Sequence, residues 1–347
     1  MTEKRNNLFD LLRVLFAVSV VISHASGKLY HGDIVSANVA VDGFFMLSGL
    51  FMAKHLYAHK NENTEQLFLN YQIGRISRLV PMYVISCIYG ILFDAIFFHS
   101  FNAARWPAVY LLGDINGIPG FWATWYVCCL FWAGLLVSTL LVWQRKKAVL
   151  VFFPLIFFFS FSYMYSYHHL WLYAKPLISG FLSVGLVKAL CALVVGAECF
   201  YASLWLKERL LKIKVSSRRF VAVLCELMFL VGFASSFKIG FSPANFIVYL
   251  YVPLILLVFL LDEQVIFRVL DRKIFAFLGK MTYAVYLTHL YLLTYIENTG
   301  VCKAVPPVLT YIVLIPITFF IGWIFCKIEK IFLCAVRKFF LNDGHIE

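Results

Sequence analysis

The chain has 347 residues, 62% of them hydrophobic and 14% charged, with a formal net charge of +12. That balance excludes a soluble globular domain, which needs a charged surface to cover a core of this size. The positive charge does not point to nucleic acid either, because it falls in alternate loops between apolar blocks.

The apolar blocks run for about 17 to 22 residues, enough to cross a hydrocarbon layer about 30 Å thick. Residues 1–27 have the basic start, apolar centre and small residues near Ala25 of a secretory signal. Asp10, Arg13 and His24 interrupt that stretch and further spans follow, so a retained first helix over 8–26 is expected. A second span follows at 37–54. His59 to Leu79 is too polar to cross, yet Leu67, Phe68, Tyr71, Ile76 and Leu79 recur at near-helical intervals. This predicts an interfacial amphipathic helix over about 60–79 that leads, through Arg75 and Arg78, into Pro81 and a third span at 80–98. Further spans are predicted at 121–143, 149–166, 177–197, 220–237, 244–261, 276–296 and 306–326. The expected fold is all-α, a polytopic transmembrane helical bundle of about ten spans. One membrane domain covers 1–340, and a short cytoplasmic tail covers 341–347.

Charge sets the orientation. With the amino terminus in the cytoplasm, 23 Lys and Arg residues fall in inside segments and 5 in outside loops, leaving Arg13 and Lys188 within spans. Both termini are therefore expected in the cytoplasm. The nine cysteines lie mainly in apolar stretches without paired metal-ligand spacing, which predicts small buried side chains and no metal site.

Ionisable residues inside a span are costly and mark candidate functional positions. Asp10 and Arg13 are three apart and can pair on one helix face. Arg13 and His24 are eleven apart, which is close to three full turns, with an offset of about 20° and a rise of about 16 Å. They line one face, Arg13 toward the cytoplasm and His24 toward the outer leaflet. Arg13 snorkelling and His24 lying at the helix end in the headgroups are the plainer alternative. The second span contains Asp42, and an antiparallel hairpin brings it near the depth of His24. A carboxylate there would fix the imidazole tautomer and raise its basicity, making His24 a candidate general base oriented by Asp42. Ser48 and Gly49 follow, and close helix packing is the plainer role for such small residues. Near the carboxyl end Tyr283, Tyr286 and His289 are spaced by three along one face, with His289 either a satisfied core histidine or a substrate contact. Lys188 receives no role, and Glu297 reads as a loop charge. The aromatics of Trp122, Trp125 and Tyr126 fit an interfacial belt or a sugar-stacking surface.

Taken together, these motifs resemble integral-membrane acyltransferase family 3, which includes O-acetyltransferases of lipopolysaccharide O-antigen and other surface sugars. The resemblance rests on Phe9-Asp10-Leu11-Leu12-Arg13 with ten residues before His24, and on Val41-Asp42-Gly43-Phe44-Phe45-Met46-Leu47-Ser48-Gly49. It also rests on Arg75-Ile76-Ser77-Arg78-Leu79-Val80-Pro81, and on the stretch from Leu278-Gly279-Lys280-Met281-Thr282-Tyr283 to His289. The resemblance implies a multi-pass protein of the cell inner membrane that uses an acyl-CoA donor, usually acetyl-CoA, to acylate a hydroxyl. The acceptor would be a carbohydrate, free or lipid-linked. In the family pattern Arg13 and His24 are essential, and Arg75 and Arg78 form a paired-arginine motif. One departure is that the Trp-x-Leu-x-x-Glu segment of many members is replaced by Trp125-Tyr126-Val127-Cys128-Cys129-Leu130, which has no glutamate.

The residues and the resemblance agree on an expected mechanism. Arg75, Arg78 and Arg13 hold the acyl-CoA phosphates at the cytoplasmic face. The pantetheine arm runs up the face from Arg13 to His24, and His24 deprotonates the acceptor hydroxyl. Tyr283 and Tyr286 are candidates to donate to the oxyanion. The rival from another class is a transporter or lipid flippase that uses Arg13, His24 and Asp42 as a proton relay.

Overall fold

The computed structural model describes residues 6–32, 36–99, 123–166, 176–178, 182–238, 243–301 and 305–342. Every predicted span contains a helix. They are α1 (Leu8–Tyr30), α2 (Ser36–Ala58), α3 (Thr64–Phe98), α4 (Thr124–Trp143) and α5 (Arg145–Ser166). After these come α6 (Val184–Leu210), α7 (Val215–Ser235), α8 (Val248–Leu260), a short α9 (Lys273–Gly279), α10 (Thr282–Thr299) and α11 (Pro307–Asn342). Among the described residues, seven helices are long and apolar enough to cross a membrane unaided. Of the other three main helices, α8 is short, α7 carries Arg218, Arg219 and Glu226, and α10 is rich in Tyr and Thr and contains His289 and Glu297. The protein is an all-α polytopic membrane bundle.

Three boundaries differ from the sequence expectation for local reasons. The amphipathic segment 60–79 and the span 80–98 are one helix, α3, about 52 Å long at 1.5 Å per residue. Asn63 starts it, its side chain accepting from the backbone N–H groups of Glu65 and Gln66, and Pro81 is carried inside. The start of the predicted sixth span is instead a short antiparallel hairpin, Pro176–Ile178 against Leu182–Ser183. Pro176 and Gly180 punctuate that stretch, and the Ser183 side chain then caps α6 by accepting from the Leu186 N–H at 3.2 Å. At the carboxyl end α11 continues well beyond the predicted span, to Asn342.

Packing places α1, α2 and α10 at the centre. α1 lies against both α2 and α10, and α2 lies between α1 and α6. α10 is buried without interruption from Ala284 to Tyr291, so its polar side chains face other helices. Leu136, Trp143, Phe158, Phe159, Val231, Ile312 and Phe320 are exposed, as a lipid-facing surface requires. Polar ties fix the start of α1. The Asn7 backbone N–H and side-chain amide donate to Asp271 Oδ1 at 3.1 and 2.8 Å, and Asn6 Nδ2 donates to the Phe259 carbonyl at 3.2 Å. The buried Glu226 carboxylate accepts the backbone N–H groups of Val265, Ile266 and Phe267, closing the turn after α8.

The α2–α6 contact is the closest in the bundle's centre because it is made by glycine on both sides. A Cβ at Gly49 would meet the Leu193 backbone carbonyl, and one at Gly196 would meet that of Met46. This is the small-residue packing on which membrane helices rely. Gly196→Val is expected to force the backbones apart at a cost of about 1–3 kcal/mol. It should lower the thermal midpoint of the protein in detergent; an unchanged midpoint would contradict the backbone contact.

Candidate active site

The α1 face carries two functional groupings about 16 Å apart along the helix axis. At its lower end Asp10 and Arg13 pair at 2.7 Å, one turn apart on the same face. Asp10 is buried, while the Arg13 side chain is 32% exposed and lies over the Phe51 ring at 4.8 Å from its centroid. Arg13 faces a cavity of about 550 Å³ whose wall also includes Ser48, Lys54, His55, Tyr71, Arg75 and Arg78. No Asp or Glu lines this cavity among the described residues. Four cationic side chains and a histidine on this wall give the cavity a positive potential suited to a polyanion.

The two α3 arginines contribute differently. Arg75 is 5% exposed and spends one nitrogen on the Leu130 and Phe131 carbonyls of α4, at 2.6 and 3.1 Å. Its other terminal nitrogen reaches Gln72 Oε1 at 3.3 Å. Gly134 makes this possible, since a Cβ there would collide with the guanidinium. Arg75 is thus a fixed cation that also ties α3 to α4. Arg78 is exposed, donating Nε to the Gly74 carbonyl one turn back at 2.9 Å.

At the upper end His24 Nδ1 lies 2.8 Å from Nε2 of His289 on α10. The rings are within 15° of parallel with centroids 5.0 Å apart, the spacing of two imidazoles meeting edge to edge, so the hydrogen bond runs in the ring planes. The tautomers follow from the next contact. His289 Nδ1 sits 2.7 Å from the Tyr286 carbonyl and 3.1 Å from that of Val285, and carbonyls only accept. Nδ1 of His289 therefore carries the proton, which leaves Nε2 of the neutral ring as acceptor. His24 must then donate from Nδ1, and its Nε2 is left with a lone pair. His289 is 1% exposed, whereas His24 is only partly buried, so the accessible ring is the one with the free lone pair.

Aromatic side chains bridge the two groupings. Ser48, on the cavity wall, donates to the Phe44 carbonyl at 2.9 Å. The Tyr126 ring lies 5.0 Å from Tyr286 and 6.3 Å from Phe44, and Tyr286 lies 6.0 Å from His289. Trp125 and Tyr126 are both buried, so they belong to the interior and not to an interfacial belt. Gly120, Phe121 and Trp122 lie outside the described residues.

Asp42 is not where the sequence reading placed it. Its depth is as expected, six residues into α2 where His24 is six from the end of α1, but its carboxylate is held by α6 and α8. Asp42 Oδ2 is 3.4 Å from Lys188 Nζ on α6, and its Oδ1 accepts from the Tyr249 hydroxyl of α8 at 3.2 Å. Lys188 Nζ also donates to the Asn38 carbonyl at 3.3 Å. Depth is readable from a hairpin, whereas rotation about the helix axis is decided by which neighbour buries the charge. Tyr283 is likewise turned away from His24, donating to the Leu79 carbonyl at 2.9 Å. The structure therefore gathers Arg13, Ser48, Arg75 and Arg78 at one cavity and joins His24 to His289 beside Tyr286. It leaves Asp42 and Tyr283 on other contacts.

A family model described as an acyltransferase domain, that of acyltransferase family 3, matches residues 6–327. The chain belongs to acyltransferase family 3. No curated protein and no solved structure matches it. For this family 3 acyltransferase the sequence reading counted Lys54 only among the inside charges and did not single out His55. It also gave no role to Lys188, whose lone position in an apolar span was the available signal.

The Asp42–Lys188 pair is fully buried, and breaking such a pair costs about 3–5 kcal/mol because one charge is stranded, while replacing both partners is close to neutral. Lys188→Met is expected to destabilise the protein strongly, and Asp42→Asn with Lys188→Met to recover most of the loss. Thermal unfolding of both variants checks this; a double variant as unstable as the single one would contradict a purely paired role.

Proposed function

We propose that this protein is a membrane O-acyltransferase that moves an acyl group, acetyl from acetyl-CoA, to a hydroxyl of a cell-surface carbohydrate such as O-antigen or another exopolysaccharide. The observation that carries the reading is the common α1 face. It joins a cation-lined cavity free of carboxylates to a histidine whose free nitrogen is fixed by its partner.

The ends of α1, α2 and α3 that line the cavity are those the charge bias assigns to the cytoplasm, where acyl-CoA is found. Arg13, Arg75 and Arg78 hold the phosphates there. The acyl-pantetheine arm extends past Ser48 and Phe44 toward His24, over a distance that suits its length. His24 Nε2 removes the proton from the acceptor hydroxyl, whose oxygen attacks the thioester carbonyl. The C–S bond breaks as the ester forms, and the CoA thiolate recovers the proton from His24. His289 Nε2 accepts the His24 Nδ1–H throughout, holding the ring as the imidazolium forms. Tyr286 stands beside the pair as the donor to the developing oxyanion, a role Tyr283 gives up to the Leu79 carbonyl. His24 is near the opposite end of α1 from the cavity, so the acceptor enters from the outer face of the inner membrane. The family assignment displaces the proton-relay transporter, and Asp42 takes no part in this chemistry.

Purified protein in nanodiscs, given labelled acetyl-CoA and a panel of free and lipid-linked glycans, tests the proposal. Wild type is expected to release CoA and label a glycan. His24→Ala should lose about 10²–10⁴-fold in rate, the usual worth of a positioned general base. His289→Ala should lower kcat by less, without changing the KM for the donor. Full activity in His24→Ala would remove it as the base, and absence of transfer from any acyl-CoA by well-folded wild type would remove the donor assignment.

A further inference from the structure

A second cavity, of about 780 Å³, adjoins the first, and Arg13, Phe51 and Lys54 line both. Its other walls come from the end of α6, which supplies Lys207, and from the segment after α8, which supplies Asp262, Gln264, Arg268 and Asp271. These walls are held in place, because Glu226 fastens the turn at residues 265–267 and Asn7 fastens Asp271.

Two features point to what it takes. The carboxylates on its wall are already engaged, Asp10 with Arg13 at 2.7 Å, Asp271 with Asn7 at 2.8 Å and Asp262 with the Gln264 amide nitrogen at 2.8 Å. Lys207 and Arg268 are exposed at the rim and form no ion pair with a carboxylate among the described residues. The second feature is Gln264, which is 8% exposed and whose Oε1 is buried without a hydrogen-bond partner. Its Nε2 is committed to Asp262, which fixes the amide orientation and leaves Oε1 as an acceptor in need of a donor.

We infer that this second cavity binds the 3′-phosphorylated adenosine end of the acyl-CoA donor. Lys207 and Arg268 hold the 3′-phosphate, and Gln264 Oε1 accepts from the adenine amino group. The inference rests on the acyl-CoA reading above and extends it. Coenzyme A has a nucleoside and a thiol arm at opposite ends of a diphosphate, and Arg13 stands on the wall common to both cavities, where the diphosphate must bend. The first cavity has Ser48 on its wall, and Ser48 donates to the carbonyl of Phe44, whose ring packs on Tyr286 beside His289, so the first cavity takes the arm and the second takes the nucleoside.

The test compares acetyl-CoA, acetyl-dephospho-CoA and acetyl-phosphopantetheine as donors in nanodiscs, for wild type, for Lys207→Ala with Arg268→Ala, and for Gln264→Leu. Removing hydrogen bonds to a charged phosphate is expected to raise the wild-type KM for acetyl-dephospho-CoA by about tenfold or more over acetyl-CoA. In the double variant that preference should vanish. Gln264→Leu should raise KM for both nucleotide donors and leave acetyl-phosphopantetheine unaffected. Equal use of acetyl-CoA and acetyl-dephospho-CoA by wild type, or an undiminished preference in the double variant, would overturn the subsite while leaving the acyl-CoA reading intact. Turnover with none of the three donors would overturn both together.

Discussion

The buried charges Asp42, Lys188 and Arg75 are held by groups on neighbouring helices, and these contacts fix how the helices that carry them are turned about their axes. A charge taken out of water without a partner costs several kcal/mol, far more than the packing gained by a modest rotation of a helix. Asp42 faces α6 because Lys188 is there, and that choice places Phe44 and Ser48 on the side that looks toward Tyr126 and Tyr286. Arg75 reaches into α4 for two carbonyls, and in doing so sets the cavity wall at which Arg13 and Arg78 also stand. The active-site geometry is in this sense a consequence of where the buried charges find their counterparts.

Much of this was legible in the sequence, and the limit can be drawn residue by residue. Apolar length and charge bias gave the helices, because crossing a bilayer imposes a length that no other constraint imitates. The shared face of Arg13 and His24 followed from helix geometry alone, since both lie on one rigid element. Partners on different elements were another matter. Asp42 was assigned to His24 from depth, yet depth leaves the rotation of α2 undetermined, and the Lys188 that settles it is 146 positions further along the chain. His289 reads in the sequence either as a satisfied core histidine or as a substrate contact. Its contacts are those of a satisfied histidine, with one nitrogen on backbone carbonyls and the other joined to His24. The single helix α3 was divided in two because its amphipathic and apolar halves have different surroundings, whereas the backbone needs only an unbroken hydrogen-bond ladder and Asn63 to start it.

Charge is also distributed unevenly along the α1 face. The lower cavity has Arg13, Lys54, Arg75 and Arg78 and, among the described residues, no carboxylate on its wall, which suits a ligand that brings its own negative charge. At the opposite end Lys28 pairs with Glu297 at 2.8 Å, and Tyr30 bonds to Thr310 at 2.5 Å and to the Val305 carbonyl at 3.1 Å. Among the described residues, these contacts join α1 to α10 and α11 through one pair of opposite charges and neutral hydrogen bonds.

A neutral imidazole in place of a carboxylate behind His24 fits this arrangement for an energetic reason. A carboxylate there would be a permanent buried charge, and the Lys188 cation that could neutralise one is already held by Asp42. With His24 as the proposed base, two neutral rings leave no charge to compensate before reaction, and a charge exists only while His24 holds the proton of the acceptor. The cost is a weaker stabilisation of the imidazolium than a carboxylate would give, because His289 offers a dipole and not a charge. What it retains is direction. The Tyr286 and Val285 carbonyls fix one ring, that ring fixes the next, and the lone pair left on His24 has a single place to point. In the proposed mechanism, a partly buried base that must be correctly aimed before it is strongly basic is well served by two uncharged rings anchored to a helix backbone.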